Sequence, residues 1–154
     1  MKISEVLDKR AIKIGLTATT KDETLKELVS ILARVEDIGD QNGIVKALIE
    51  RENLGSTGIG QGIAIPHGKT DKVTRLVAVL GISKSGVDFD ALDGEPVYLF
   101  FLLVAPKATA GPHLKALAQI SRLLRDSYFC ELIRKCKTEE EVFNLIKNEE
   151  EKKH

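Results

Sequence analysis

Two almost uninterrupted apolar runs, residues 76–82 and 97–104, constrain this fold more than anything else in the sequence. A strand with one face in water alternates apolar and polar residues, so strands apolar throughout need cover on both faces. Neither run is long enough to cross a membrane; residues 97–105, the longest, are strand-sized. Helical patterns lie before and after them. The pattern predicts an α/β domain with its sheet between layers of helices. The length of 154 residues suits one domain and a sizeable core.

The helical segments carry their own punctuation. Thr20-Lys21-Asp22-Glu23 is a capping box opening a helix with Leu25, Leu28, Val29, Leu32 and Val35 on one face. Asp40 is placed to cap a second helix, with Ile44, Val45, Leu48 and Ile49 inward, Arg51 in the last turn and a stop near Gly55. After the second apolar run, Pro112 suits the first position of a helix carrying Leu114, Leu117, Ala118, Ser121 and Leu124. Phe129, Leu132 and Ile133 mark another helix. Thr138-Glu139-Glu140-Glu141 opens a last one, with Val142, Phe143, Leu145 and Ile146 inward. Residues 11–16 read as a short strand, 87–89 as a short extended piece, and Leu92-Asp93-Gly94 as a turn. Residues 148–154, with His154 at the end, are expected to fray.

Charge and cysteine content narrow the function. Lys plus Arg number 23 and so do Asp plus Glu, so net charge gives no case for nucleic acid or for an anionic membrane. The N-terminal residues from Met1 have no signal-peptide stretch. Cys130 and Cys136 match no zinc or redox spacing and read as reduced packing thiols in a cytoplasmic protein. No cluster of metal-ligand residues is visible, and Asp88 and Asp90 read as solvated.

Residues 55–69, from Gly55 through Pro66-His67-Gly68-Lys69, are dense in glycine and deliver one histidine. Imidazole can be a neutral nucleophile near physiological pH. Glycines let backbone N–H groups approach an anion, and Pro66 stiffens the support. The combination predicts a histidine that accepts a phosphoryl group. A nucleotide loop is the rival. The P-loop pattern fails because Gly62 and Gly68 are separated by five residues, one too many, and no room for a helix follows Thr70. Ile63 stands where G-x-G-x-x-G needs glycine. No bound nucleotide, other cofactor or metal is therefore expected. By residue type alone, Arg51 fits a solvated helix end as well as a phosphate contact. His113, near a helix start, fits an exposed loop as well as an anion site.

These residues bring a family into view. Arg51-Glu52 through Gly58-Ile59-Gly60, then Ile63-Ala64-Ile65-Pro66-His67-Gly68-Lys69, resemble the active-site signature of type 2 enzyme IIA domains. Those domains belong to the bacterial phosphoenolpyruvate-dependent phosphotransferase system, in its fructose, mannitol and nitrogen-regulatory group. The resemblance continues through residues 89–97, 103–106 and 113–117. It implies a single enzyme IIA domain over residues 1–154, with a mixed sheet flanked by helices. It implies that His67 carries the phosphoryl group as a phosphohistidine intermediate, with Arg51 and His113 as the other active-site positions. The donor would be HPr or its nitrogen-branch relative, and the acceptor a IIB domain or a regulatory target. Such a chain is a carrier within a relay and not a stand-alone catalyst. Residues 55–60 with Gly68-Lys69, and the lack of an attached IIB or membrane domain, make the chain look most like the nitrogen-regulatory branch, with a fructose-transport component as the alternative.

Overall fold

The computed structural model describes residues 2–108 and 110–152. A one-turn helix α1 (Ile3–Val6) and a 3₁₀ turn (Lys9–Ala11) lead into β1 (Ile12–Ile14). Helices α2 (Lys21–Val35) and α3 (Gln41–Asn53) follow, then three short strands, β2 (Gly58–Gly60), β3 (Ile63–Ala64) and β4 (His67–Lys69). The long pair β5 (Val77–Val87) and β6 (Val97–Ala105) comes next, and α4 (Ala110–Leu124), α5 (Ser127–Lys135) and α6 (Glu139–Lys152) end the chain.

The six strands form one mixed sheet in the order β1-β5-β6-β3-β2, with β4 also beside β6. β5 and β6 are antiparallel, whereas β1 on β5, and β3 and β4 on β6, are parallel. Every residue of β6 except Tyr98 is buried, as are residues 77–83 of β5, so both faces of the sheet are covered. α2 packs on α3 and β5, while α4 and α5 pack on β6 and α6 packs on β1. One continuous apolar core runs through all layers. Gly81 permits a close approach: a Cβ there would lie 2.8 Å from side-chain methyls of both Leu16 and Leu28, so a larger residue would push those packed side chains aside.

Both capping boxes form at their ends that bind the backbone. The Thr20 hydroxyl accepts from Glu23 N–H and the Thr138 hydroxyl from Glu141 N–H, each at 3.2 Å. Asp40 is the N-cap of α3, as expected, but its side chain makes no capping bond. Of the expected extended piece at 87–89 only Val87 is in a strand, as the last residue of β5, which continues past a register break between Ile82 and Val87. The inward face of α4 also differs from expectation. Ala116, Ile120, Leu123 and Leu124 are buried, whereas Leu114 is 64% exposed and Ala118 lies in solvent. α4 starts two residues before Pro112, and His113 turns inward, which rotates the helix away from Leu114. Residues 148–152 belong to α6. The Glu150 carboxylate accepts the free N–H groups of Ile3 and, at 3.0 Å, Ser4, tying α6 to the start of α1. His154 and Met1 lie outside the described residues. Cys130 and Cys136 are free thiols, the first buried and pushed up to about 11 mainly by that burial. Among the described residues no helix is long and apolar enough to cross a membrane.

Candidate functional site

The segment carrying His67 is a strand in disguise. β3 pairs Ile63 with Leu99, and β4 pairs His67 with Leu103 in the same register. Residues 63–69 thus run parallel beside β6 without slipping, and the ladder lapses only around Pro66, which has no N–H to give. Pro66 still contributes its carbonyl, which accepts from Leu103 N–H at 2.9 Å. His67 therefore inherits its position from the most buried strand of the protein.

The glycines before it do a different job from the one expected. Gly60-Gln61-Gly62 is the tight turn joining antiparallel β2 and β3, with φ of 98°, 58° and 81°. Several of the amides expected to cradle an anion are already taken. Thr57 N–H donates to Glu52, Gly58 N–H to the Ser56 hydroxyl at 3.0 Å, and Gln61 N–H to Asp93 at 2.9 Å. The run shapes a hairpin, so the anion-binding concavity is not formed by these groups.

The His67 ring is half-buried, and its Nδ1 lies 2.8 Å from the Ile65 carbonyl oxygen. A carbonyl can only accept, so Nδ1 carries the proton and the free lone pair sits on Nε2. Burial is the main influence holding His67 below the ordinary imidazole range. The Ile65 bond pulls upward, the Arg51 charge downward and the Glu52 charge upward. The net effect keeps Nε2 unprotonated at neutral pH.

The structure sets His113 beside His67 and Arg51 where its charge reaches the ring. The His113 ring, in the first turn of α4, lies 5.7 Å from that of His67, centroid to centroid, tilted by 48°. Although the sequence left open an exposed loop, His113 is only 4% exposed. Burial, then the charges of His67 and Lys69, push it down to about 4, so it is neutral at pH 7. Among the described residues its buried Nδ1 has no hydrogen-bond partner. Arg51, half-buried in the last turn of α3, donates from Nη1 to the Gly55 carbonyl at 2.9 Å. That bond fixes the guanidinium at the helix end while leaving further donors unspent. The His113 ring thus lies beside that of His67, and Arg51 is near enough for its charge to act on the imidazole.

Sequence reasoning missed Glu52, Thr57 and Lys21. Glu52 is 5% exposed and pairs with Lys21 at 3.2 Å, while Lys21 also lies 4.8 Å above the Phe89 ring. The one available signal was Glu52 beside Arg51 at a helix end, where an acidic residue opposes the helix dipole. Asp88 and Asp90 are exposed, as expected. Among the described residues no group of three or more His, Cys, Asp or Glu is arranged to hold a metal.

The family described as phosphoenolpyruvate-dependent sugar phosphotransferase system, EIIA 2, matches residues 5–149. Over 148 residues the chain is 35% identical to a nitrogen regulatory protein of Bradyrhizobium diazoefficiens, covering 95% of both. Over 146 residues it is 36% identical to the fructose-specific EIIABC component of Bacillus subtilis, but it spans only 23% of that longer protein. The crystal structure of nitrogen regulatory protein IIA-Ntr from Neisseria meningitidis superposes with a TM-score of 0.87 at 31% identity, covering 94% of this chain and 98% of that one.

Proposed function

The chain belongs to the EIIA 2 family of the phosphoenolpyruvate-dependent sugar phosphotransferase system, and on that premise we propose that His67 Nε2 is the atom that carries the phosphoryl group. The observation that supports this most is the 2.8 Å contact between His67 Nδ1 and the Ile65 carbonyl, which commits the lone pair to Nε2. In the reaction, Nε2 attacks the phosphorus of a phosphorylated HPr-type carrier. The bond from phosphorus to the carrier breaks as the new P–N bond forms. Positive charge develops on the His67 ring, and the Nδ1–H bond to Ile65 stabilises it. Such transfers need positioning and charge stabilisation more than covalent chemistry. Arg51 offers a planar donor for the phosphoryl oxygens. Neutral His113, its ring 5.7 Å from that of His67, offers an N–H. Both are supporting groups, and His67 alone becomes covalently modified.

The whole chain works as one EIIA domain, cytoplasmic, between a donor of the HPr type and either a IIB domain or a regulatory target. The nitrogen-regulatory role is favoured by a relative of that name that matches over 95% of its own length. The fructose-transport role remains the second reading, because the fructose-specific EIIABC component is as similar over the matched region. Reconstitution with enzyme I, phosphoenolpyruvate and each donor separately tests both points. His67→Ala takes up no label while staying folded, and the bound label in the wild type is acid-labile, as a phosphoramidate is. Faster uptake from the nitrogen-branch donor supports the regulatory reading. Faster uptake from HPr favours the transport reading, and normal labelling of His67→Ala rejects the site.

A further inference from the structure

Glu52 is a buried charged side chain, 5% exposed, and its bonds lead to His67. Its carboxylate accepts from Thr57 N–H at 3.1 Å and from the Thr57 hydroxyl, and it pairs with Lys21 Nζ at 3.2 Å. The Thr57 carbonyl in turn accepts Ile65 N–H at 3.0 Å. The Ile65 carbonyl meets His67 Nδ1 at 2.8 Å. An unbroken run of hydrogen bonds thus joins a buried carboxylate on α3 to the imidazole ring.

The sheet explains why this run matters. Along residues 62–70 the even-numbered residues bond toward β6: Gly62 accepts from Leu99, Pro66 accepts from Leu103, and Thr70 donates to Ala105, at 2.9–3.0 Å. Ile65 turns the other way and is tied to Thr57. Pro66 next to it has no N–H with which to fasten the Ile65–Pro66 peptide to β6. The carbonyl that orients the catalytic ring is therefore held from the Thr57 side, and Thr57 is held by Glu52. A buried ion pair such as Lys21–Glu52 is a poor source of stability, because desolvation offsets its attraction. It is well suited to anchoring a carboxylate at one place.

Resting on the reading that His67 Nε2 is the phosphoryl acceptor, we infer that Glu52 is a positioning residue, which through Thr57 and Ile65 holds His67 in the Nδ1–H form and aims Nε2 at the incoming phosphorus. Glu52 touches neither substrate nor phosphoryl group. A carboxylate can serve both Thr57 donors with two oxygens, whereas a glutamine side chain offers one.

The test is nitrogen-15 NMR of the His67 ring at a pH where it is neutral, together with the rate of phosphoryl uptake. In the wild type the proton resides on Nδ1. In Glu52→Gln the Nδ1–H form is lost to a mixture of both forms, uptake slows by about 10- to 100-fold, and apparent affinity for the donor protein is unchanged. Glu52→Asp keeps the charge but draws the carboxylate back by one methylene; it gives the same signature should the glutamine variant not fold. A folded Glu52 variant with a wild-type His67 spectrum overturns the inference, as does a wild-type ring protonated on Nε2. If the spectrum responds to Glu52 but wild-type His67 takes up no phosphoryl group, the relay stands and the functional reading falls.

Discussion

β6 and the segment 63–69 beside it run parallel in one register, yet they are made of opposite materials. β6 is apolar and buried along all its length but Tyr98. Its neighbour becomes progressively wetter, ending with His67 and Gly68 half-buried and Lys69 exposed. The first strand contributes position and a dry wall. The second contributes the nitrogen proposed to accept the phosphoryl group and borrows its place through the ladder. Function is thus separated from stability across one strand spacing: the wall can keep the imidazole neutral by desolvation without itself carrying a polar group.

Phe101→Ala is the harshest way to break this division. The ring is fully buried in β6, so its loss costs roughly 3–5 kcal/mol in urea unfolding. The fraction still folded takes up phosphoryl groups at the normal rate. A variant that stays stable but loses uptake would mean that the wall itself takes part in the chemistry.

Acid tests the dry wall from the other side. His113 sits near 4 when folded and near 6.5 when unfolded. Between those values the unfolded chain binds a proton that the native one refuses, so this contribution is complete above pH 6.5 and is lost as pH falls toward 4. The loss amounts to about 3 kcal/mol. His67, also held below its ordinary value, adds to it in the same direction. Folded His113→Gln, followed by urea melts across this range, has a clearly shallower slope. An unchanged slope would place the buried-histidine effect elsewhere.

Arg51→Ala sharpens the comparison at the chemical step. A hydrogen bond to a charged group is worth roughly 1.5–3 kcal/mol, so transfer slows by about 10- to 150-fold. Arg51→Lys falls between, and the melt is unchanged because the residue sits at the end of α3. Fixed ionic strength keeps protein–protein encounter from mimicking the effect. Equal rates for all three proteins assign Arg51 to solvent. The smallest effect comes from Thr138→Ala at the start of α6, which packs on β1 at the far edge of the sheet. It costs about 1 kcal/mol and leaves transfer alone. A slowed transfer would show that the two regions are not separable.

The sequence made the apolar wall legible because residues apolar on both faces have few alternatives to a central strand. Thr20 and Thr138 marked helix starts by a local rule that tertiary contacts did not override. Pro66-His67-Gly68 marked the residue proposed as the phosphoryl acceptor. The rest depended on partners distant in sequence. Leu114 looked inward by helical spacing, but burial of His113 beside His67 rotates α4 the other way. The glycines suggested a cradle, but Glu52, Ser56 and Asp93 had claims on neighbouring amides that no local pattern reveals. Glu52 itself reads like any helix-surface glutamate until Thr57 and Lys21 are brought against it.

The account rests on one atom, His67 Nε2. The most direct measurement is phosphorus-31 and nitrogen-15 NMR of the protein charged from phosphoenolpyruvate through enzyme I and the carrier. A single phosphohistidine, with phosphorus coupled to Nε2 of His67 and Nδ1 still bearing its proton, is the predicted result. Phosphorus on Nδ1 of His67, or on His113, would contradict it.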